Sequence, residues 1–161
     1  MKHIPHFLTG MTAFIDGIGL LGTVKTVALP KVEHLRETVT AGGFERSVGT
    51  GVLKAMECEI TLSEYNETIY NAWLSAIPIV IKGSFKDRGE SYPVMAIVKG
   101  ERDVDDGTWE TGKEVERKIK VYVDFYSLTI NNVPQVLLDV DNMIAMIQGK
   151  DYLAEMRSHI L

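Results

Sequence analysis

Leu53-Lys54-Ala55-Met56-Glu57-Cys58-Glu59-Ile60-Thr61-Leu62 alternates almost without fault. Met56, Cys58, Ile60 and Leu62 form one side, and Ala55, Glu57, Glu59 and Thr61 the other. An extended chain sends successive side chains to opposite sides, so this is a half-buried strand with an acidic outer face. Cys58, the single cysteine, lies on the apolar side and reads as core rather than as a reactive thiol.

Working outward, Ser63 offers a helix N-cap, and Glu64 and Glu67 suit the positive end of a helix dipole. Tyr65, Ile69, Trp73 and Ile77 recur every four residues, with Tyr70 and Leu74 beside them. That spacing predicts one clear helix, ending before Pro78. Alternation resumes with Ile77, Ile79, Ile81 and Phe85 on one face; Gly89 marks a turn and Tyr92 to Lys99 returns as a hairpin partner. Glu101 to Lys113 is polar, with a turn at Asp105-Asp106-Gly107 and Trp109 near its tip. Val115 to Ile130 is a long strand. Val115, Ile119, Val121, Val123 and Phe125 share one face and Tyr126, Leu128 and Ile130 take the opposite parity, which predicts a bulge near Phe125. Gln135 to Val140 is a last strand. Asp141 or Asn142 then caps a short helix through Met143, Ile144 and Ile147 that Gly149 stops, and Tyr152, Leu153, Met156 and Ile160 give a C-terminal amphipathic segment.

Upstream, Phe7 to Ile18 and Thr23 to Leu29 are strand candidates. Gly17 to Gly22 can turn the chain between them, and Pro30 ends the second. Val24 and Thr26 fall opposite Lys25 and Val27. Lys31 to Gly51 lacks a clear period and holds Gly42, Gly43, Gly49 and Gly51, so it reads as a long loop. Yet Leu35, Val39, Phe44 and Val48 would be wasted on a solvated loop, so the segment is expected to dock on a neighbouring copy. The sum is a mainly β, antiparallel single domain over residues 1–161 with one clear helix. About seven strands then need a sandwich or barrel to hide their edges.

Composition and motifs exclude more than they assign. Apolar residues make 45% and charged residues 24% of 161, so disorder is not expected. A net charge of −5 argues against tight nucleic-acid binding. No apolar run reaches the ~20 residues of a membrane span. Met1 to Gly10 contains Pro5 and no long apolar stretch, which points to synthesis and assembly in the cytoplasm. His3 and His6 are close in sequence but lack zinc-site context, and His34 and His159 are isolated. Gly17-x-Gly19-x-x-Gly22 has dinucleotide-binding spacing, but β-prone residues follow where a helix is required, so it reads as a turn. Asp103, Asp105 and Asp106 lack calcium-loop spacing. No catalytic, cofactor or metal site is expected.

The order of these pieces resembles the major tail tube protein of contractile-tailed bacteriophages. The resemblance is carried by Asp16-Gly17, Leu29-Pro30-Lys31 after the second strand, Ala41-Gly42-Gly43 and the helix after Leu62. Ile81-Lys82-Gly83-Ser84, the strand Lys118 to Ile130 and Asp141-Asn142-Met143-Ile144 complete it. It covers nearly the whole chain as an ordered set of weak pieces. It implies a sandwich or barrel subunit of homohexameric rings that stack head to tail into a conduit for DNA in the virion tail. The implied partners are other copies, the sheath, the tape measure protein, the baseplate and the tail terminator, with DNA as passing cargo and no membrane. Under that resemblance the segment 31–51 is an oligomerisation loop contacting through Leu35, Val39, Phe44 and Val48, while Glu57 and Glu59 face the lumen. Tubes of phage-tail-like bacteriocins and of type VI secretion share the architecture. A small-ligand-binding β-barrel is the alternative of another class.

Overall fold

β8 (Glu90–Asp105) and β9 (Arg117–Ile130) organise the chain. The computed structural model describes residues 4–15, 19–20, 23–74 and 77–161. Before this pair come β1 (Phe7–Ile15), β2 (Gly19–Leu20), β3 (Val24–Ala28), β4 (His34–Ala41), β5 (Phe44–Leu53), β6 (Met56–Leu62), α1 (Thr68–Leu74) and β7 (Ile79–Asp87). After it come β10 (Val133–Asp139), β11 (Ile144–Ile147), β12 (Lys150–Asp151) and α2 (Ala154–Ile160).

β8 runs along one edge of β9 from Val94↔Ile130 to Asp105↔Lys118. The other edge of β9 is shared. β6 takes Arg117 to Val123, and β10 takes Phe125 to Ile130. The ladder skips Asp124: Lys99 faces Phe125 and Gly100 faces Val123. This is the bulge expected near Phe125. It explains the switch of parity, because Ile119, Val121 and Val123 are buried before it and Tyr126 after it.

All pairings are antiparallel, in a ten-stranded sheet of order β12-β11-β10-β9-β8-β7-β1-β2 with β6 and β3 branching from β9. The sheet curls, since β1 comes alongside β3, at the far end of the walk β1-β7-β8-β9-β6-β3. No ladder joins β1 to β3 among the described residues, so the barrel is not closed there. One core fills the curl: Ala13 and Ile15 from β1, Cys58, Ile60 and Leu62 from β6, Ile79 from β7, Val98 from β8, and Ile119 and Val121 from β9. Each Val, Leu or Ile among them adds ~1.5–3 kcal/mol before ordering costs. A one-residue slip would turn every one of them outward, so burial fixes the register.

Several local expectations change. The segment expected to loop forms the β4–β5 hairpin. The helix is shorter than its apolar spacing, Thr68 to Leu74, and Asn66 Oδ1 rather than Ser63 accepts the Thr68 N–H at 2.9 Å. Only Ile69 of its stripe is fully buried, while Trp73 and Leu74 stay exposed. An irregularity between Val24 and Thr26 lets Val24 and Val27 both pack on the core, correcting the parity assigned to β3. Glu101 to Asp105 continues β8 instead of opening a polar turn. Ile144 to Ile147 is a strand, not a helix: Asp139 accepts from Asn142 in a tight turn, and β11 pairs back on β10. Parts of the Gly17 to Gly22 turn, and His3, lie outside the described residues.

Candidate assembly surfaces

Gly42 and Gly43 close the β4–β5 hairpin with φ of +61° and +79°, a left-handed pair that side chains other than glycine strain to adopt. The register pairs Ala41 with Phe44, Val39 with Arg46, and Glu37 with Val48. Directly opposed residues share a face, so Val39, Phe44 and Val48 stand together, and Leu35 joins them by alternation. Thr38, Thr40, Glu45 and Ser47 take the other face. The four proposed contact residues thus share one face, with Glu37 and Arg46 interleaved among them, and all four are exposed, Phe44 by 78%. The hairpin is a separate two-stranded sheet. Two strands alone are marginal in water, so beyond its base, where Leu53 packs on the core and the His34 ring meets Tyr152, this arm lacks support from its own body. The Gly42-Gly43 pair between Val39 and Phe44 was the sequence signal for it.

The outer side of β6, β9 and β8 carries a second pattern. Glu57 and Glu59 lie opposite Tyr122 and Lys120. On the other edge of β9, Glu101, Asp103 and Asp105 lie opposite Tyr122, Lys120 and Lys118. A central lysine row is therefore flanked by acidic rows on both sides. Lys120 Nζ sits 3.2 Å from Glu57, which raises its pKa through that hydrogen bond, and Lys118 Nζ sits 3.8 Å from Glu59. Five carboxylates surround two ammoniums, so the face stays acidic. Sequence reasoning reached Glu57 and Glu59 but missed the β8 carboxylates and both lysines. The alternation of Lys118 to Val123 was visible; the pairing that sets it beside β6 was not.

A third feature is an open groove of about 950 Å³ between the base of the hairpin, the β9–β10 region and α2. The C-terminal segment folds onto its own body. Tyr152 N–H donates to the Ala145 carbonyl at 2.7 Å, and Leu153 packs on the core. Arg157 clamps α2 by donating to the Met143 carbonyl at 2.9 Å and to Asp151 Oδ2 at 2.7 Å. The Arg157 hydrogen bond also holds the Asp151 carboxyl below its usual range.

Nothing in these surfaces is arranged for catalysis. Burial pushes the Cys58 thiol up to about 12, so it stays protonated and inert. His6 bonds Tyr92 at 2.6 Å and faces Asp87 at 3.5 Å. Asp105 Oδ1 accepts from Gly107 N–H in a turn, and Asp106 pairs with Arg117. No group of three or more His, Cys, Asp or Glu poised for a metal occurs among the described residues. No described helix is long and apolar enough to cross a membrane.

These surfaces suit a structural protein of the tail-tube class, and residues 5–160 match the model of the family described as phage tail tube protein FII. The chain is also 30% identical to the tail tube protein of Escherichia phage P2 over 168 aligned positions, which cover 98% of each chain. The chain belongs to the phage tail tube protein FII family. It is a structural subunit of a phage tail tube, a component of the virion tail and not an enzyme, and it self-assembles within that tail.

Proposed function

We propose that six copies of this chain, each a single tail-tube domain, close into a ring, and that rings stack head to tail around a channel through which DNA passes. The observation that carries this reading is the unsupported hairpin with Leu35, Val39, Phe44 and Val48 on one exposed face. An arm of this kind gains stability by lying across a neighbour. Contacts between unlike patches generate rings where the rotation closes and stacks where it does not. The gap between β1 and β3 fits the same account, because open edges are safest inside an assembly.

In this arrangement the acidic face with Glu57 and Glu59 lines the channel. Like charge keeps duplex DNA from adhering while it slides. The outside of the tube meets a contractile sheath, the tape measure protein occupies the channel before DNA does, and the baseplate and tail terminator cap the ends. A ligand-binding barrel has less support: the curl is filled by side chains and is not closed among the described residues.

The test is Phe44→Asp. A buried aromatic contact is worth ~1.5–3 kcal/mol at each interface, and an unpaired carboxylate in its place costs more. The variant should fold, with unchanged circular dichroism, and stay small in gel filtration under conditions where the parent forms rings or tubes by electron microscopy. Normal tubes from Phe44→Asp would overturn the hairpin's role.

A further inference from the structure

We infer that the groove beneath the hairpin, walled by α2, is the receptor for the hairpin tip of a second copy, with Phe44 as the anchor. This rests on the proposed docking of the hairpin and says where it docks.

Three observations lead there. The groove is apolar in its walls, with Met56, Val140, Met143, Tyr152, Leu153 and Met156 lining it, and Val140, Tyr152 and Met156 are substantially exposed. Methionines make an adaptable lining that suits an aromatic ring. Its 950 Å³ lies within the ~300–1,000 Å³ of pockets that take a drug-sized ligand, enough for a phenyl ring with its cross-strand neighbours. Second, the charges match. Arg46 stands on the same face as Phe44 nearest the tip, with Glu37 further down that face, and the groove carries Glu57, Asp124, Asp139 and Glu155. The ammonium in the lining, Lys54, lies 3.9 Å from Glu33, which offsets it. Third, the groove includes Gly51, Val52 and Leu53, the base of the same hairpin. The tip lies ~23–30 Å away along β5. Phe44 therefore cannot reach its own groove, and the occupant must come from another molecule. Tip and groove are different patches, so each bound copy presents a fresh groove and a fresh tip, and the contact propagates.

Disulfide trapping tests this, since the native Cys58 is buried and does not compete. Ala41→Cys places a thiol opposite Phe44 while keeping the phenylalanine. It is combined in the full chain with Met156→Cys, or separately with Val140→Cys, on the groove walls. Tyr92→Cys, far from the groove, serves as control. Thermal melts of the reduced proteins establish folding first. Oxidised tubes should give a ladder of covalent multimers on a non-reducing gel for at least one groove pair, and none for the control. Tubes that form normally but crosslink at neither groove position overturn the groove while leaving the hairpin's role intact. Normal tubes from Phe44→Asp, or a chain that stays monomeric at every concentration, overturn the docking itself and this inference with it.

Discussion

Arg117 shows how one residue ties distant segments together. It is only 3% exposed, and its guanidinium meets several partners. Nε donates to Asp106 Oδ1 at 2.8 Å, Nη1 donates to the Asn66 carbonyl at 3.0 Å, and the guanidinium lies 4.5 Å from the Tyr65 ring centre. The Tyr65 hydroxyl donates to the Asp106 carbonyl, the Tyr70 hydroxyl to the Asp106 carboxylate, and the Trp109 indole to Tyr65. The approach to α1 is thereby fastened to the β8–β9 connection. Hydrogen bonds from Tyr70 first, then from Arg117, hold the Asp106 carboxyl below its ordinary 3.8. A depressed folded value means stability that is present above the unfolded value and lost as pH falls through the folded one. Asp106→Asn should therefore lower Tm near neutral pH, and the gap to the parent should narrow as pH falls below the ordinary 3.8 and through the lower folded value. Melts across that range check it; a gap that stays constant would show that shape rather than charge matters at this position. This cluster was not legible in the sequence, because its members come from three separated stretches whose meeting depends on the completed sheet.

At the scale of elements, the bulge in β9 is the hinge of the design. Gly100 sits across from it, and a Cβ there would lie 1.8 Å from the Tyr122 carbonyl oxygen. That oxygen belongs to backbone and cannot swing aside. Gly100→Ala should cost about 3 kcal/mol, the upper end of overpacking effects, and denaturant unfolding should show a lower midpoint with the slope retained. A midpoint within error of the parent would mean that the strands separate easily at this corner. Burial also explains which elements could be read in advance. β6, β7 and β9 have one face in the core, so selection for burial writes a period of two into them. β4 and β5 expose both faces, and nothing in a single chain forces their alternation into view; only the turn residues mark them. The stretch Met143 to Ile147 fits either period. Pairing with β10 decides for strand, helped by positive φ at Met143 and Gln148 that a helix could not contain. The acidic outer face was half legible for the same reason: alternation assigns a side, but only register assigns neighbours.

For the whole molecule, the charge on that face becomes decisive only in the proposed tube, where it repeats six times per ring. Duplex DNA carries one negative charge per ~1.7 Å, and each phosphate neutralised by a protein cation releases a counterion. A wall that offers even a few free ammoniums per subunit would hold DNA with strength multiplied along the tube. The present face avoids this because Lys118 and Lys120 are enclosed by carboxylates from both neighbouring strands. Changing Glu57 and Glu59 together to lysine removes two of those carboxylates, adds two ammoniums and leaves Lys118 and Lys120 without their β6 partners. The wall should then turn from repelling to adhesive. Both side chains point away from the core, so folding should survive; Glu57 also lies on the rim of the groove, so tube formation is checked first by electron microscopy. DNA ejection from assembled particles should slow ~10-fold or more at low ionic strength and recover as salt screens the contacts. Glu57→Gln with Glu59→Gln removes charge without adding any, and should slow ejection far less. If the double lysine variant builds normal tubes and ejects at the parental rate even in low salt, this face does not line the channel.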